Sequence, residues 1–162
     1  GAGVSLPSLV KTACHYGLSG ISFAVGIPGT LGAAILLNAG AHGNNLGEFV
    51  ESVKILSLDG KVEVLSKNDI VFGYRFSSLI DKGCIIIEAT LKLTDKKEKE
   101  IIEKEIQFYL NKRKTDQPVF SKNAGCFFKN PEGYSTAKLI EESGCKGLRI
   151  GDAQVSLFIR IL

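Results

Sequence analysis

The sequence of 162 residues contains no methionine and no tryptophan, and its four cysteines are far apart. Cys14, Cys84, Cys126 and Cys145 form no C-x-x-C pair and have no histidine at metal-ligand spacing. A disulfide framework or a zinc site requires closer spacing, so we expect reduced thiols in a cytoplasmic protein and no bound metal. Because the chain begins with Gly1 and ends in an apolar run, we expect it to be a fragment of a longer protein.

Other absences exclude whole classes of protein. No apolar run reaches the roughly 20 residues that a membrane helix needs, and no charged-then-apolar signal segment opens the chain. The net charge of +3 is small, and no basic run is interleaved with aromatic residues as in nucleic-acid interfaces. A hydrophobic content of 44% is typical of a globular protein, and the mild positive charge suits an anionic small ligand. We therefore expect neither a nucleic-acid nor a membrane partner.

The hydrophobic pattern predicts an α+β fold. Apolar residues recur at helical spacing in residues 6–14, and Asp59-Gly60 between two strand-like runs predicts a hairpin. The run 85–93 begins with continuous apolar residues, which is typical of a central strand. Helical patterns follow at about 95–113, with a capping box from Asp95 and Glu98, and at 135–142. We predict a first domain over residues 1–95 with a mixed sheet, and a smaller α+β domain over residues 96–162.

A glycine-rich passage, GIPGTLGAA at residues 26–34, precedes the small-residue stretch NAGAHG at residues 38–43. The first passage is neither a Walker loop nor the dinucleotide fingerprint G-x-G-x-x-G. Its residues alone leave two interpretations equally open. The glycines either let a helix pack closely on a sheet, or shape a phosphate or cofactor cradle at a helix start.

Two single residues are candidates for chemistry. Arg75, in the stretch FGYRFS, can clamp a carboxylate with two parallel hydrogen bonds, although a lone arginine is more often an ion-paired surface residue. Cys126, in the stretch AGCFFKNP, can donate a proton or attack an electrophile. Taken singly it is more often a buried, unreactive side chain.

Taken together and in order, these motifs resemble the UDP-N-acetylenolpyruvoylglucosamine reductases, flavoenzymes that make UDP-N-acetylmuramate for the bacterial cell wall. The matching stretches are YGLSG (16–20), GIPGTLGAA (26–34), NAGAHG (38–43), FGYRFS (72–77), RKTDQP (113–118), AGCFFKNP (124–131), KLIEESG (138–144) and KGLRIGDAQVS (146–156). The resemblance covers nearly the whole chain, up to about Ser156.

The resemblance implies FAD as cofactor, NADPH as electron donor and UDP-N-acetylglucosamine enolpyruvate as substrate. Residues 1–95 would be the latter part of the FAD-binding domain, and residues 96–162 an incomplete substrate-binding domain. Arg75 would bind and polarise the substrate carboxylate, and Cys126 would replace the serine that usually donates the proton. The implied contacts are Ile27, Pro28, Gly29, Thr30 and Gly40 for FAD, and Lys114 and Asn130 for the UDP-sugar.

The departures from the family pattern leave a second hypothesis open. Family members carry a preceding glycine-rich loop for the FAD pyrophosphate and a later catalytic glutamate, and this sequence matches neither. Asp152 stands where glycine is usual. The chain is therefore either the central portion of the reductase, or a non-catalytic fragment or residual UDP-sugar-binding module. A third interpretation, an unrelated flavin oxidase, gives no reason for Cys126 and Arg75 to occur together.

Overall fold

The computed structural model describes residues 1–116 and 128–157, and the chain divides into two compact units, residues 1–110 and 111–162. The α-helices are α1 (Leu6–His15), α2 (Leu31–Leu36), α3 (Lys99–Asp116) and α4 (Thr136–Glu142). The strands of the first unit are β1 (Gly40–Ala41), β2 (Asn44–Asn45), β3 (Val50–Leu56), β4 (Val62–Ser66), β5 (Phe72–Gly73), β6 (Phe76–Ser77) and β7 (Ile85–Leu91). The second unit contains β8 (Arg149–Ile150) and β9 (Ala153–Gln154). The predicted α+β class is confirmed.

The core of the first unit lies against a three-stranded sheet with the order β4-β3-β7. Val53 and Ile55 of β3 are buried while Lys54 between them is exposed, as the alternation of side chains along a strand requires. Helix α1 adds the buried Leu6 and Val10 to the same cluster. The predicted first helix is therefore confirmed.

The strands around Asp59-Gly60 form the predicted hairpin. Strand β3 pairs with β4 in antiparallel register from Ser52 to Leu56, and Gly60 adopts a φ of 82° in the turn. Asp-Gly favours such a turn because glycine accepts positive φ without a Cβ clash.

Two expectations about the sheet are wrong in the described part of the chain. Strand β7 pairs with β3 alone and lies at the edge, and every pairing among the described strands is antiparallel, not mixed. Ile85 and Ile87 of β7 are 63% and 40% exposed, and the alternation is interrupted where the register shifts opposite Lys54 and Ile55. A continuous apolar run thus did not distinguish a central strand from an edge strand with uncovered side chains.

The predicted helix from Asp95 begins at Lys99, because the residues before it pair with the loop after α1. Ser19 donates its N–H to Asp95 O at 2.9 Å, and the N–H of Lys97 donates to Gly17 O at 3.0 Å. Helix α4 begins after its N-cap Ser135, as predicted. The two compact units divide inside α3, and the division of a cofactor domain from a substrate domain at residues 95/96 stays a prediction.

Three helices end with the same backbone capping motif. After α1, α2 and α4, the second residue past the helix is left-handed: Gly17, Asn38 and Gly144, with φ of 67°, 43° and 70°. The N–H of this residue and of the next one bond back to helix carbonyls, which is the Schellman pattern. Glycine carries no steric cost there, so the asparagine after α2 needs a separate reason.

The packing predicts a large difference between two leucines. Leu46→Ala should lower the free energy of unfolding by about 2–5 kcal/mol, because Leu46 is 0% exposed and its loss leaves a cavity. Leu58→Ala should change it by less than about 0.5 kcal/mol, since Leu58 is 87% exposed. Urea unfolding followed by circular dichroism measures both, and equal losses would contradict this description of the core.

Candidate functional site

The loop before α2 contains four of the predicted flavin contacts. Ile27 is half-buried against the core, whereas Pro28, Gly29 and Thr30 are exposed. Gly29 has a φ of 122°, and apart from its two chain neighbours no residue has an atom within 4 Å of the position that a Cβ would take. The backbone shape therefore requires glycine there, and the surface beside it is open to a flat ligand.

The start of α2 is closed to an anion by the chain itself. Leu31 donates its N–H to Val4 O, and Gly32 donates its N–H to Ala2 O, both at 2.9 Å. A Cβ on Gly32 would lie 3.0 Å from the Cβ of Ala2 and 3.6 Å from that of Ile86. Of the two interpretations of the glycine-rich passage, close packing therefore holds for Gly32, and a phosphate cradle formed by the N–H groups of Leu31 and Gly32 is excluded.

Gly40 opens the short hairpin of β1 and β2. A Cβ on Gly40 would overlap Asn45 Oδ1 and Asn44 O, so this position accepts only glycine. The turn residues His42 and Gly43 have φ of 56° and 84°. Positive φ at both turn residues is the geometry of a two-residue hairpin turn that follows the twist of the strands.

His42 places this hairpin against α3. Its ring stacks on the ring of Tyr109 with centroids 5.1 Å apart and an angle of 28° between the planes. Offset stacking of this kind adds to the burial of the two rings. The hairpin that contains Gly40 is thus supported by the long helix of the same unit.

Arg75 lies at the tip of the hairpin formed by β5 and β6. It is the second residue of a two-residue turn, and its φ of 53° is uncommon for a side chain of this size. Its Nη1 donates to Gly40 O at 3.1 Å, and its Cζ lies 5.7 Å from the centroid of the Tyr74 ring. The structure thus brings the predicted carboxylate-binding arginine into contact with a predicted flavin-contact residue.

Asn38 is a residue of this region whose role sequence reasoning missed. Its side chain is buried, its Nδ2 donates to Gly73 O at 2.9 Å, and its Oδ1 accepts the N–H of Gly47 at 2.9 Å. The sequence signal was available, since asparagine is the residue that replaces glycine after a helix end. What the side chain reaches depends on segments 9 and 35 residues away, and no local pattern reveals that.

A cleft of about 670 Å³ opens in the first unit beside these loops. Its lining includes Asn38, Gly73 and Tyr74, together with the cationic side chain of Lys67. The volume is in the range of small-molecule sites, which is about 300–1,000 Å³. Gly73 and Tyr74 of the hairpin that carries Arg75 thus line an open surface cleft, and Arg75 itself is not among its lining residues.

The second unit contains the two predicted UDP-sugar contacts. Lys114 is exposed in the last turn of α3. Asn130 is half-buried, and its Oδ1 accepts the N–H of Thr136 at 3.0 Å, which satisfies the first residue of α4. Cys126 lies outside the described residues. The roles assigned to Lys114, Asn130 and Cys126 stay predictions, as do those of Arg75 and the loop residues.

The described residues, 1–116 and 128–157, contain neither a membrane-spanning helix nor a cluster of metal ligands. No helix in these ranges is both long and apolar enough to cross a membrane. The same ranges contain no cluster of three or more acidic, histidine or cysteine side chains able to hold a metal ion.

Comparisons with known proteins match both ends of the chain to described families. Residues 1–66 match the FAD binding domain, and residues 117–157 match the UDP-N-acetylenolpyruvoylglucosamine reductase C-terminal domain. The UDP-N-acetylenolpyruvoylglucosamine reductase of Desulforamulus reducens is 46% identical over 96% of this chain and 51% of its own length. That of Clostridium tetani is 43% identical over 96% of this chain and 50% of its own length.

A solved structure agrees with the sequence matches. The crystal structure of UDP-N-acetylenolpyruvylglucosamine reductase (MurB) from Thermus caldophilus has a TM-score of 0.82 and 40% identity. It covers 98% of this chain, and this chain covers 57% of it.

The matches define the class first: an α+β protein whose residues 1–66 carry the sequence of an FAD-binding domain. The relatives then narrow this class: over 96% of its length the chain is similar to UDP-N-acetylenolpyruvoylglucosamine reductases. It spans about half the length of the curated relatives that it matches.

The crowding at Gly40 predicts a selective loss of stability. Gly40→Ala should lower the free energy of unfolding by about 1–3 kcal/mol, because the new methyl group overlaps backbone and amide atoms of β2. Gly73→Ala is the matched control and should change little, since its Cβ would meet only the side chain of Phe76, at 3.7 Å or more. Urea unfolding compares the two, and an equally stable Gly40→Ala variant would refute the geometry of this hairpin.

Proposed function

We propose that this chain supplies the flavin-contact loop and the carboxylate-binding arginine of an FAD-dependent reductase. The enzyme converts UDP-N-acetylglucosamine enolpyruvate to UDP-N-acetylmuramate with NADPH, a step of peptidoglycan precursor synthesis in the cytoplasm. The observation that carries the proposal is the hydrogen bond from Arg75 Nη1 to Gly40 O. It joins two residues to which the family resemblance gives adjacent roles in the reaction.

The backbone of Arg75 supports a functional role. A non-glycine residue in the left-handed region costs roughly 1–2 kcal/mol, and such strain persists mainly where a site requires it. The turn would be relaxed by glycine or asparagine, yet it carries an arginine at φ 53°. A guanidinium has five N–H donors, and the bond to Gly40 O uses one of them.

The residues present fit contact with part of an FAD molecule. The loop of Pro28, Gly29 and Thr30 is exposed, and the open space beside Gly29 admits a flat ring against the backbone. The N–H groups of Leu31 and Gly32 at the start of α2 are already bonded to the chain, so these two groups do not hold the pyrophosphate. FAD, when bound, would supply the redox chemistry that transfers reducing equivalents from NADPH to the substrate.

Arg75 and Cys126 would serve two successive needs of the substrate. Reduction at the methylene carbon of the enolpyruvyl group builds negative charge on the adjacent carbon and its carboxylate. A guanidinium at the carboxylate stabilises charge that appears only in the transition state, and so accelerates the step. An unperturbed cysteine thiol, whose reference pKa is about 8.5, is mostly protonated at neutral pH, so a cysteine at position 126 would be able to protonate that carbon.

The first test is flavin retention by the purified chain. After incubation with FAD and desalting, visible flavin absorption is expected, and NADPH should bleach it under anaerobic conditions. Addition of UDP-N-acetylglucosamine enolpyruvate should restore the absorption. A colourless chain would overturn the proposal for this chain and favour a non-catalytic fragment or a residual UDP-sugar-binding module.

Substitution of Arg75 tests its place in the reaction. Arg75→Lys should slow flavin reoxidation by the enolpyruvyl substrate by roughly 10²-fold, since lysine cannot make the two-pronged contact. Flavin reduction by NADPH should keep its rate, because that half-reaction does not involve the carboxylate. Arg149→Lys is the control, since Arg149 is exposed and donates within its own turn to Gly151 O. Equal effects of the two variants would remove Arg75 from the mechanism.

Substitution of Cys126 tests the proton donor. Cys126→Ala should lower turnover by about 10²–10⁴-fold, whereas Cys126→Ser should retain activity and become resistant to iodoacetamide. Cys14 should not contribute to inactivation by iodoacetamide, because burial, followed by the charge of Glu103, raises the pKa of its thiol. Peptide mass spectrometry identifies the alkylated cysteine. Inactivation of Cys126→Ser at the wild-type rate would contradict the assignment.

A further inference from the structure

We propose that Asn38 is a positioning residue for Arg75: its buried side-chain amide fixes the hairpin that carries the arginine against the loop that contains Gly40. The inference rests on the proposed function only for what Arg75 does, not for how Arg75 is held.

The choice of asparagine at position 38 is the first observation. Gly17 and Gly144 occupy the equivalent position after α1 and α4 and adopt the left-handed backbone without steric cost. Asn38 adopts the same backbone at φ 43° and forms the same pattern, with its N–H bonded to Ile35 O at 3.1 Å. The helix end alone therefore does not explain why asparagine rather than glycine occupies position 38. The reason lies in the contacts of its side chain.

Both the nitrogen and the oxygen of the side-chain amide form hydrogen bonds, and these bonds join three segments. Nδ2 donates to Gly73 O, two residues before Arg75, and Oδ1 accepts from the N–H of Gly47, both at 2.9 Å. Only one orientation of the amide places its donor on the carbonyl and its acceptor on the N–H. Asn38 is 6% exposed, so water cannot readily replace either bond.

A second anchor lies on the other side of the arginine. The hydroxyl of Ser77, two residues after Arg75, donates to Leu36 O at 2.7 Å. With this bond, each of the last four carbonyls of α2 has a partner. Three accept the N–H groups of Leu37, Asn38 and Ala39, and the fourth accepts Ser77 Oγ. The hairpin is thus tied to the end of α2 both before and after Arg75.

Strands β5 and β6 contain two residues each, so the hairpin has little rigidity of its own. The contact of Arg75 Nη1 with Gly40 O therefore depends on the anchors at Gly73 and Ser77. The two anchoring side chains are those of Asn38 and Ser77. Asn38 belongs to the segment that leads into Gly40, whereas Ser77 belongs to the hairpin itself. The amide of Asn38 therefore holds the hairpin that carries Arg75 at a fixed distance from the segment that contains Gly40.

The test begins with the order of the Arg75 side chain. Asn38→Gly keeps the left-handed backbone and removes the amide. ¹⁵N relaxation of the arginine Nε–H signals, assigned through Arg75→Lys, should show Arg75 becoming as mobile as the exposed Arg149. Asn44→Ala is the matched control, since its amide donates to His42 O within its own hairpin, and should leave Arg75 ordered. An ordered Arg75 in Asn38→Gly would overturn the proposal.

A second variant guards against a general loss of folding. Asn38→Asp keeps an acceptor for the N–H of Gly47 but places an oxygen opposite Gly73 O. It should mobilise Arg75 while the Nε–H signal of Arg113 stays unchanged. Loss of order at both arginines would assign Asn38 a merely structural role and overturn the proposal.

Ligand selectivity provides the functional readout. The ratio of Kd values for UDP-N-acetylglucosamine and its enolpyruvyl ether measures what the carboxylate contributes to binding, independently of how well the sugar binds. Asn38→Gly should lower this ratio roughly tenfold, and Asn44→Ala should keep it. An equal weakening of both ligands would overturn the positioning role. A ratio of one in the wild-type chain would instead refute the proposed function of Arg75, while the relaxation data would still decide how Arg75 is held.

Discussion

The two hydrogen bonds of the buried Asn38 amide are the interaction on which the candidate site depends. The segments around it are two-residue strands and turns, which leave many backbone groups outside regular ladders. A buried N–H or C=O without a partner costs about as much as a lost hydrogen bond, so such segments need side chains that supply partners. One amide supplies an acceptor to Gly47 and a donor to Gly73, and so holds together loops that the sheet does not reach.

The start and the end of α2 are both satisfied by the chain, and this restricts what the helix can do. The carbonyls of Ala2 and Val4 occupy its first N–H groups. The helix has only six residues, so its contribution to a ligand is geometric rather than electrostatic: it places the loop before it and Asn38 after it. Binding of the anionic parts of a cofactor therefore falls to residues other than these N–H groups.

The sequence predicted elements whose cause is local and failed where the cause is distant. The first helix, the Asp59-Gly60 hairpin and α4 follow from caps, turn residues and periodicity within a few residues. The late start of α3 was not predictable in this way, because residues 95–97 pair with residues 17–19 across the unit. The edge position of β7 was missed for the same reason, since apolar composition does not say which neighbours a strand has.

The candidate site could be found from the order of its motifs but not from any one of them. From the local sequence, Arg75 among aromatic residues cannot be distinguished from an ordinary surface arginine. Its contact with Gly40 O distinguishes it, and Gly40 is 35 residues away. Asn38 belongs to a stretch of small residues, and that pattern gives no information about what its side chain contacts. Cys126 lies outside the described residues, so its assignment still rests on resemblance and on thiol chemistry.

The distribution of backbone strain gives an independent argument for this location. In the described part of the chain, the non-glycine residues with positive φ are Asn38, His42 and Arg75. Two of them flank Gly40 in sequence at a distance of two residues, and the third bonds to its carbonyl. Each costs free energy that a glycine would avoid, and strain of this kind persists where surrounding contacts hold it for a purpose. A fold selected only for stability would spread such residues or replace them. Their clustering around Gly40 supports the proposal that this part of the sequence maintains the placement of the Arg75 guanidinium as well as the stability of the loops.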